Sequence, residues 1–137
     1  MKIAVVFFAG GQRNRILEVS KSLAKGIEAQ GHQVDLVDGD RDVNTKLTIY
    51  GYIAIGASTT SILGGKIPDS ANRFLANSGM VAGKRCFAYT IKHGLRTSKT
   101  LSKLMGIMEH EGMFIKYSEV VSSGPEAEAI GKRLHIN

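Results

Sequence analysis

Cysteine is almost missing from this sequence: Cys86 is the only one in 137 residues. A lone thiol excludes an intrachain disulfide framework and offers no cysteine-based metal spacing. Its apolar neighbours predict a buried, inert side chain. Histidine occurs only 4 times, with no pair at metal-ligand spacing, and no metal is expected. No apolar run approaches the roughly 20 residues of a membrane-spanning helix, and no membrane association is expected. The start, Met1-Lys2-Ile3, already reads as strand. It lacks a charged segment, an apolar leader and a small-residue cleavage site, so a cytoplasmic location is the expectation. Proline occurs twice, as Pro68 and Pro125, and both open helical patterns, where a missing N–H is tolerated. No repeat, linker or low-complexity segment divides the chain, and residues 1–137 are expected to form a single domain.

Acidic residues are outnumbered, 12 Asp and Glu against 18 Lys and Arg, for a net charge of +6. Such a balance favours a small anionic ligand or an acidic partner. The basic residues are scattered, and no strand interleaves them with aromatics, which argues against nucleic acid.

The stretch from Lys2 to Ile16, KIAVVFFAGGQRNRI, organises the rest. Its apolar run from Ile3 to Ala9 has no polar alternation, the pattern of a strand buried on both faces of a parallel sheet. Gly10 and Gly11 break the strand, and Gln12 to Arg15 lead into a helix. A strand, a glycine turn and a helix start bring backbone N–H groups and a helix dipole to one point, suited to a phosphate.

That first helix carries Ile16, Val19, Leu23 and Ile27 on one face, with Asn14 or Gln12 as its cap and Gly31 after its end. His32 to Val37 reads as a less buried second strand. Asp38 to Thr48, with Asp38, Asp40 and Asp42, reads as a solvated loop with at most a short helix rather than a calcium site, because the closing bidentate Glu is absent. Ile49 to Gly56 is the third strand, followed by a loop of hydroxyls and glycines from Ala57 to Gly65. A helix from Pro68 presents Ala71, Phe74 and Leu75. Arg85 to Thr90 is the fourth strand, with Ile91 to Ser98 as its loop. Leu101, Leu104, Met105 and Met108 mark the next helix, which ends at Gly112. Met113 to Val121 is the fifth strand, and the last helix begins at Pro125, with Ala127, Ile130 and Leu134 inward. This alternation predicts an α/β three-layer sandwich around a five-stranded parallel sheet. In the order 2-1-3-4-5 the loops after strands one, three and four meet beside the switch in strand order.

With those loops placed, the chain resembles the flavodoxin family over nearly its whole length. The motif Tyr52-Ile53-Ala54-Ile55-Gly56-Ala57-Ser58-Thr59-Thr60, with Gly64 and Pro68 after it, is similar to the family's third strand and its Gly-Ser-Pro-Thr-aromatic loop. The resemblance implies a flavodoxin-like fold and non-covalent flavin mononucleotide (FMN). It also implies electron transfer or FMN-dependent oxidoreductase chemistry, with a redox protein as partner. Gly10, Gly11, Gln12, Arg13, Asn14, Arg15 and Ile16 would hold the phosphate. Ala57, Ser58, Thr59, Thr60, Ser61 and Gly64 would line one side of the flavin ring. Tyr89, Thr90, Lys92, His93 and Gly94 would line the other. No catalytic residue is assigned.

The departures define an alternative. The family's phosphate loop reads approximately Ser/Thr-x-Thr-Gly-Asn-Thr, and Gly11 to Ile16 here contains no hydroxyl. Arg13 and Arg15 would have to replace those donors. No aromatic lies between Ala57 and Lys66, where the family stacks one on the ring. The alternative is a flavodoxin-fold binding or interaction module that has lost FMN and takes another phosphorylated ligand, or none. Other α/β readings fail on their motifs. A receiver domain needs an acidic pair where Ala9-Gly10-Gly11 stands, and Gly56-Ala57-Ser58-Thr59-Thr60 lacks the last glycine of a hydrolase elbow.

Overall fold

The computed structural model describes residues 1–61 and 63–137; Ile62, in the loop expected after the third strand, lies outside the described residues. The elements follow in the order β1 (Lys2–Phe8), α1 (Arg13–Glu28), β2 (Gln33–Asp38), β3 (Tyr52–Ala57), α2 (Asp69–Ala76), β4 (Arg85–Ile91), α3 (Thr97–His110), β5 (Phe114–Val121) and α4 (Gly124–Arg133). The 5 strands form one parallel sheet in the order β2-β1-β3-β4-β5. This is the α/β sandwich that the strand–helix alternation predicts.

Alternating strand residues supply the two faces. Ile3, Val5, Phe7, Tyr52, Ala54, Phe87 and Tyr89 pack under α1 and α4. Ala4, Val6, Phe8, Ile53, Ile55, Cys86 and Ala88 pack under α2 and α3. Cys86 is fully buried, and burial pushes its thiol up to about 12, as expected of an inert side chain. β2 is an edge strand with only Val37 fully buried, consistent with its broken apolar pattern.

The third strand begins at Tyr52 rather than Ile49. Tyr50 N–H bonds back to the Leu47 carbonyl at 3.1 Å, and Gly51 N–H reaches the Lys2 carbonyl at 2.9 Å. That turn buries Leu47 and Tyr50 and leaves Ile49 in solvent. The crossover from β2 to β3 therefore contains no helix; Leu47 and Tyr50 cover the sheet in its place. α4 has a built N-terminus: Ser123 Oγ accepts from Glu126 N–H at 3.3 Å, and Glu126 Oε2 accepts from Ser122 N–H at 3.3 Å. Ser123 thus caps the helix, and Glu126 reaches back to the residue before the cap.

α1 and α4 touch backbone to backbone through two glycines. A Cβ on Gly26 would lie 2.1 Å from the Glu128 carbonyl oxygen, and one on Gly131 would lie 2.5 Å from that of Leu23. Gln30 Nε2 ties the pair by donating to the Gly131 and Leu134 carbonyls at 2.6 and 3.1 Å. Gly26→Ala should therefore destabilise the protein by about 1–3 kcal/mol through overpacking, although alanine gains roughly 1 kcal/mol of helix propensity. Urea denaturation measures this; a net gain in stability would show that the helices do not need the close approach.

Candidate functional site

The loop from Ala9 to Gln12 leaves the end of β1 and is held by its neighbours on three successive amides. Ala9 N–H donates to Asp40 Oδ2 at 2.7 Å, Gly10 N–H to Ser58 Oγ at 2.7 Å and Gly11 N–H to the Thr59 carbonyl at 3.1 Å. Gly10 presses so close to β3's loop that a Cβ there would sit 2.4 Å from Thr59 O. The two glycines thus seat the loop rather than offer their amides to a ligand.

The free donors lie one step further on. Gln12 occupies the N-cap of α1 without a side-chain cap bond, and the first intrahelical bond runs from Ile16 N–H to Gln12 O at 3.0 Å. Among the described residues, the N–H groups of Arg13, Asn14 and Arg15 have no partner, as expected for a first helical turn. No acidic residue lies in that turn. These residues and Gly11 line an open hollow of about 300 Å³. Ile16, also expected here, is fully buried in the core beneath.

Arg13 is turned aside. Its guanidinium bonds to the Asp38 carboxylate, comes within 4.0 Å of Asp40 and lies 5.8 Å from the centre of the Phe7 ring. Asp38 also accepts from Asp40 N–H at 3.0 Å, and Asp40 Oδ1 accepts from Ser70 Oγ at 2.6 Å. The aspartates expected in a solvated loop are therefore a strut joining β1, α1 and α2, with Asp42 alone at the surface. Burial by itself pushes the Asp38 carboxyl up; the Arg13 bond, the Asp40 N–H and the Arg13 and Arg41 charges outweigh it and hold the group below 3.8. Arg15 makes no ion pair among the described residues and remains at the hollow.

The second loop turns its hydroxyls inward. Ala57, Ser58 and Thr59 are buried, Thr59 Oγ1 accepts from Ser61 N–H at 3.1 Å, and Thr60 and Leu63 are exposed. Near the end of β4, before the third loop, Thr90 is buried and its hydroxyl donates to the Ala57 carbonyl at 2.6 Å. Tyr89, expected beside a ring ligand, lies wholly in the core. Its hydroxyl meets Ser20 Oγ at 2.6 Å, its ring lies against Gly56, and burial raises its phenol. Lys92 and Gly94 are exposed and His93 is half-buried. The second and third loops touch: Gly64, at φ 75°, lies so near that a Cβ would be 2.2 Å from Leu95 O. Leu95 itself is exposed at the tip, an apolar side chain in a polar run that the loop's composition did not single out.

No protein-family model matches the sequence, and no curated protein matches it. Solved structures do. Flavodoxin 1 from Bacillus cereus in its oxidised form is 18% identical, with a TM-score of 0.69 over 96% of this chain and 99% of that one. Two-electron reduced flavodoxin from Megasphaera elsdenii is 16% identical, with a TM-score of 0.72 over 95% and 96%. A flavodoxin from the domain Archaea is 16% identical, with a TM-score of 0.66 over 96% and 94%. This chain has the flavodoxin fold.

Within that flavodoxin-like frame the α1 hollow, the second loop and the third loop share the edge of the sheet where strand order switches at β1 and β3. The hollow offers main-chain donors and a free arginine, a chemistry for a phosphate monoester. Between the other two loops the described residues present hydroxyls, backbone, Leu63, Lys92, His93 and Leu95, and no Phe, Tyr or Trp.

Two outcomes test this geometry. Arg13→Ala should destabilise the protein at neutral pH. A carboxyl held below its ordinary value stabilises the fold above that value and loses the effect as pH falls through its folded pKa. The stability gap between wild type and Arg13→Ala should therefore close below about 3.8, the ordinary value for Asp38, in denaturation curves taken across pH. Tyr89→Phe leaves Ser20 unpaired in the core and should destabilise by about 1–3 kcal/mol, read by thermal unfolding.

Proposed function

We infer that the protein is a flavodoxin-like electron-transfer protein that binds FMN with its phosphate at the N-terminus of α1. The observation that carries this reading is the unpartnered first turn of α1, with Arg15 beside it, opening at the crevice of a flavodoxin fold. Bound FMN would supply the redox chemistry, since such a cofactor carries electrons that side chains cannot.

The chain's own residues would bind and orient it. Gln12, Asn14 and Arg15, with the free N–H groups, would hold the phosphate. Thr60, Ser61 and Gly64 would border the ring on one side, and Lys92, His93 and Gly94 on the other, with Leu95 as apolar cover. Ser58, Thr59 and Thr90 act from beneath, by fixing the loops against β1 and β3. The net charge of +6 suits a redox protein with an acidic face.

The second reading, a module for a different phosphorylated ligand, draws on the contact of Gly64 with Leu95 and Arg96. That contact draws the second and third loops together where a ring would enter, and no aromatic there would be available to stack.

Titration of the apo-protein with FMN and with riboflavin separates the readings. FMN should bind at least about tenfold tighter than riboflavin, the value of a charge-assisted phosphate contact. Arg15→Ala should remove most of that difference, and Arg13→Ala should leave it intact. Equal affinity for both flavins would overturn the phosphate site. No binding of either flavin, with inorganic phosphate still shifting the amides of residues 12–15, would favour the second reading.

A further inference from the structure

A second concavity lies at the opposite end of the sheet, between the start of β3, the start of β5 and the C-terminal end of α4. Its volume is about 530 Å³, within the range of small-molecule sites. Tyr52 forms its floor and is 1% exposed. Tyr117 and Ile130 are walls, and Lys116, Arg133 and His135 stand at the rim.

The Tyr52 hydroxyl has no hydrogen-bond partner among the described residues. Every other tyrosine has one: Tyr50 with Asp35, Tyr89 with Ser20 and Tyr117 with Glu119. No fully buried side-chain oxygen or nitrogen among the described residues lacks a partner, so this unpaired hydroxyl is reached through the cavity and is open to a ligand atom. Burial pushes it up to about 12, with the Cys86 side chain adding to the rise and Arg85 opposing it. It is therefore a neutral donor at physiological pH.

The sheet is also locally reshaped here. Cys86 pairs with Ile115 but Phe87 pairs with Tyr117, so Lys116 is the extra residue of a bulge. Bulges re-aim side chains, and this one brings both Lys116 and Tyr117 to the cavity. The Tyr117 ring stacks on Phe87 at 5.5 Å and 14°. No Asp or Glu is among the lining residues, and none of Lys116, Arg133 and His135 forms an ion pair among the described residues.

The geometry points to a binding site for a small aromatic carboxylate with a hydrogen-bond acceptor at its far end. The acceptor takes the Tyr52 hydroxyl proton, the ring lies along Tyr117 and Ile130, and the carboxylate meets Lys116 and Arg133. The site is independent of any flavin at the α1 hollow.

Two-dimensional NMR titration with 4-hydroxyphenylacetate tests it, with phenylacetate and 4-hydroxyphenylacetamide as controls. The hydroxylated acid should give saturable shifts at residues 52, 116, 117 and 130–135. The amide, lacking the charge, should bind about tenfold more weakly, and phenylacetate, lacking the acceptor, about fivefold more weakly. Tyr52→Phe removes one unbonded oxygen and should abolish the difference between the two acids. Arg133→Gln should weaken both acids and spare the amide. The assignment is overturned if shifts do not saturate, if they fall on residues 11–15 instead, or if both variants bind as wild type does.

Discussion

The double burial of β1 is the constraint on which the rest of the structure depends. Ile3 to Phe8 are at most 1% exposed, and β1 is hydrogen-bonded to β2 on one side and β3 on the other. A parallel strand paired on both edges and apolar on both faces must be covered by helices above and below. The chain meets that demand with α1 and α4 on one side and α2 and α3 on the other. Strand order reverses at β1, so the loops on its two sides diverge and leave a crevice.

That crevice is built from inside. Asp40, Ser58 and Thr59 take the amides of Ala9, Gly10 and Gly11, which seats the first loop on the second before any ligand arrives. The same bonds remove those amides as ligand donors and shift the anion-binding chemistry to the first turn of α1. The strut of Arg13, Asp38 and Asp40 does the same to one of the two arginines. It neutralises a positive charge next to the hollow and leaves Arg15 as its cation. Loops shaped by bonds within the protein reorganise little on binding, which favours affinity through preorganisation.

Much of this was legible in the residues. The unbroken run Ile3 to Ala9, the helical spacing of Leu101, Leu104, Met105 and Met108, and the glycine breaks between elements yield the succession of strands and helices, and the doubly wound order 2-1-3-4-5 assumed for it places the three crevice loops. These are local signals, carried by the 2.0 and 3.6 periods of strand and helix. The helix-free turn at Leu47 to Gly51 was less visible, because Ile49 reads as strand although a local turn turns it to solvent. The placement of individual side chains was not legible. Tyr89 could have faced the crevice or the core, and only the nearness of Ser20, 69 residues away, decides it. Gly26 and Gly131 look like weak points in two helices until the helices are brought together.

By itself, the sequence determined the class of fold, the number of strands, the position of the helix N-terminus beside the switch point and the burial of Cys86, because each follows from composition and period within a short window. Tertiary structure alone decided which groups are left unpaired. Arg13 and Arg15 are two residues apart and chemically identical, yet Arg13 is captured by Asp38 from β2 while Arg15 has no ion pair among the described residues. Tyr52 and Tyr50 are equally close in sequence, yet Tyr50 finds Asp35 and Tyr52 finds a cavity. The physical reason is that a polar group's partner is chosen by strand register and helix packing over long sequence separations, which no local pattern encodes.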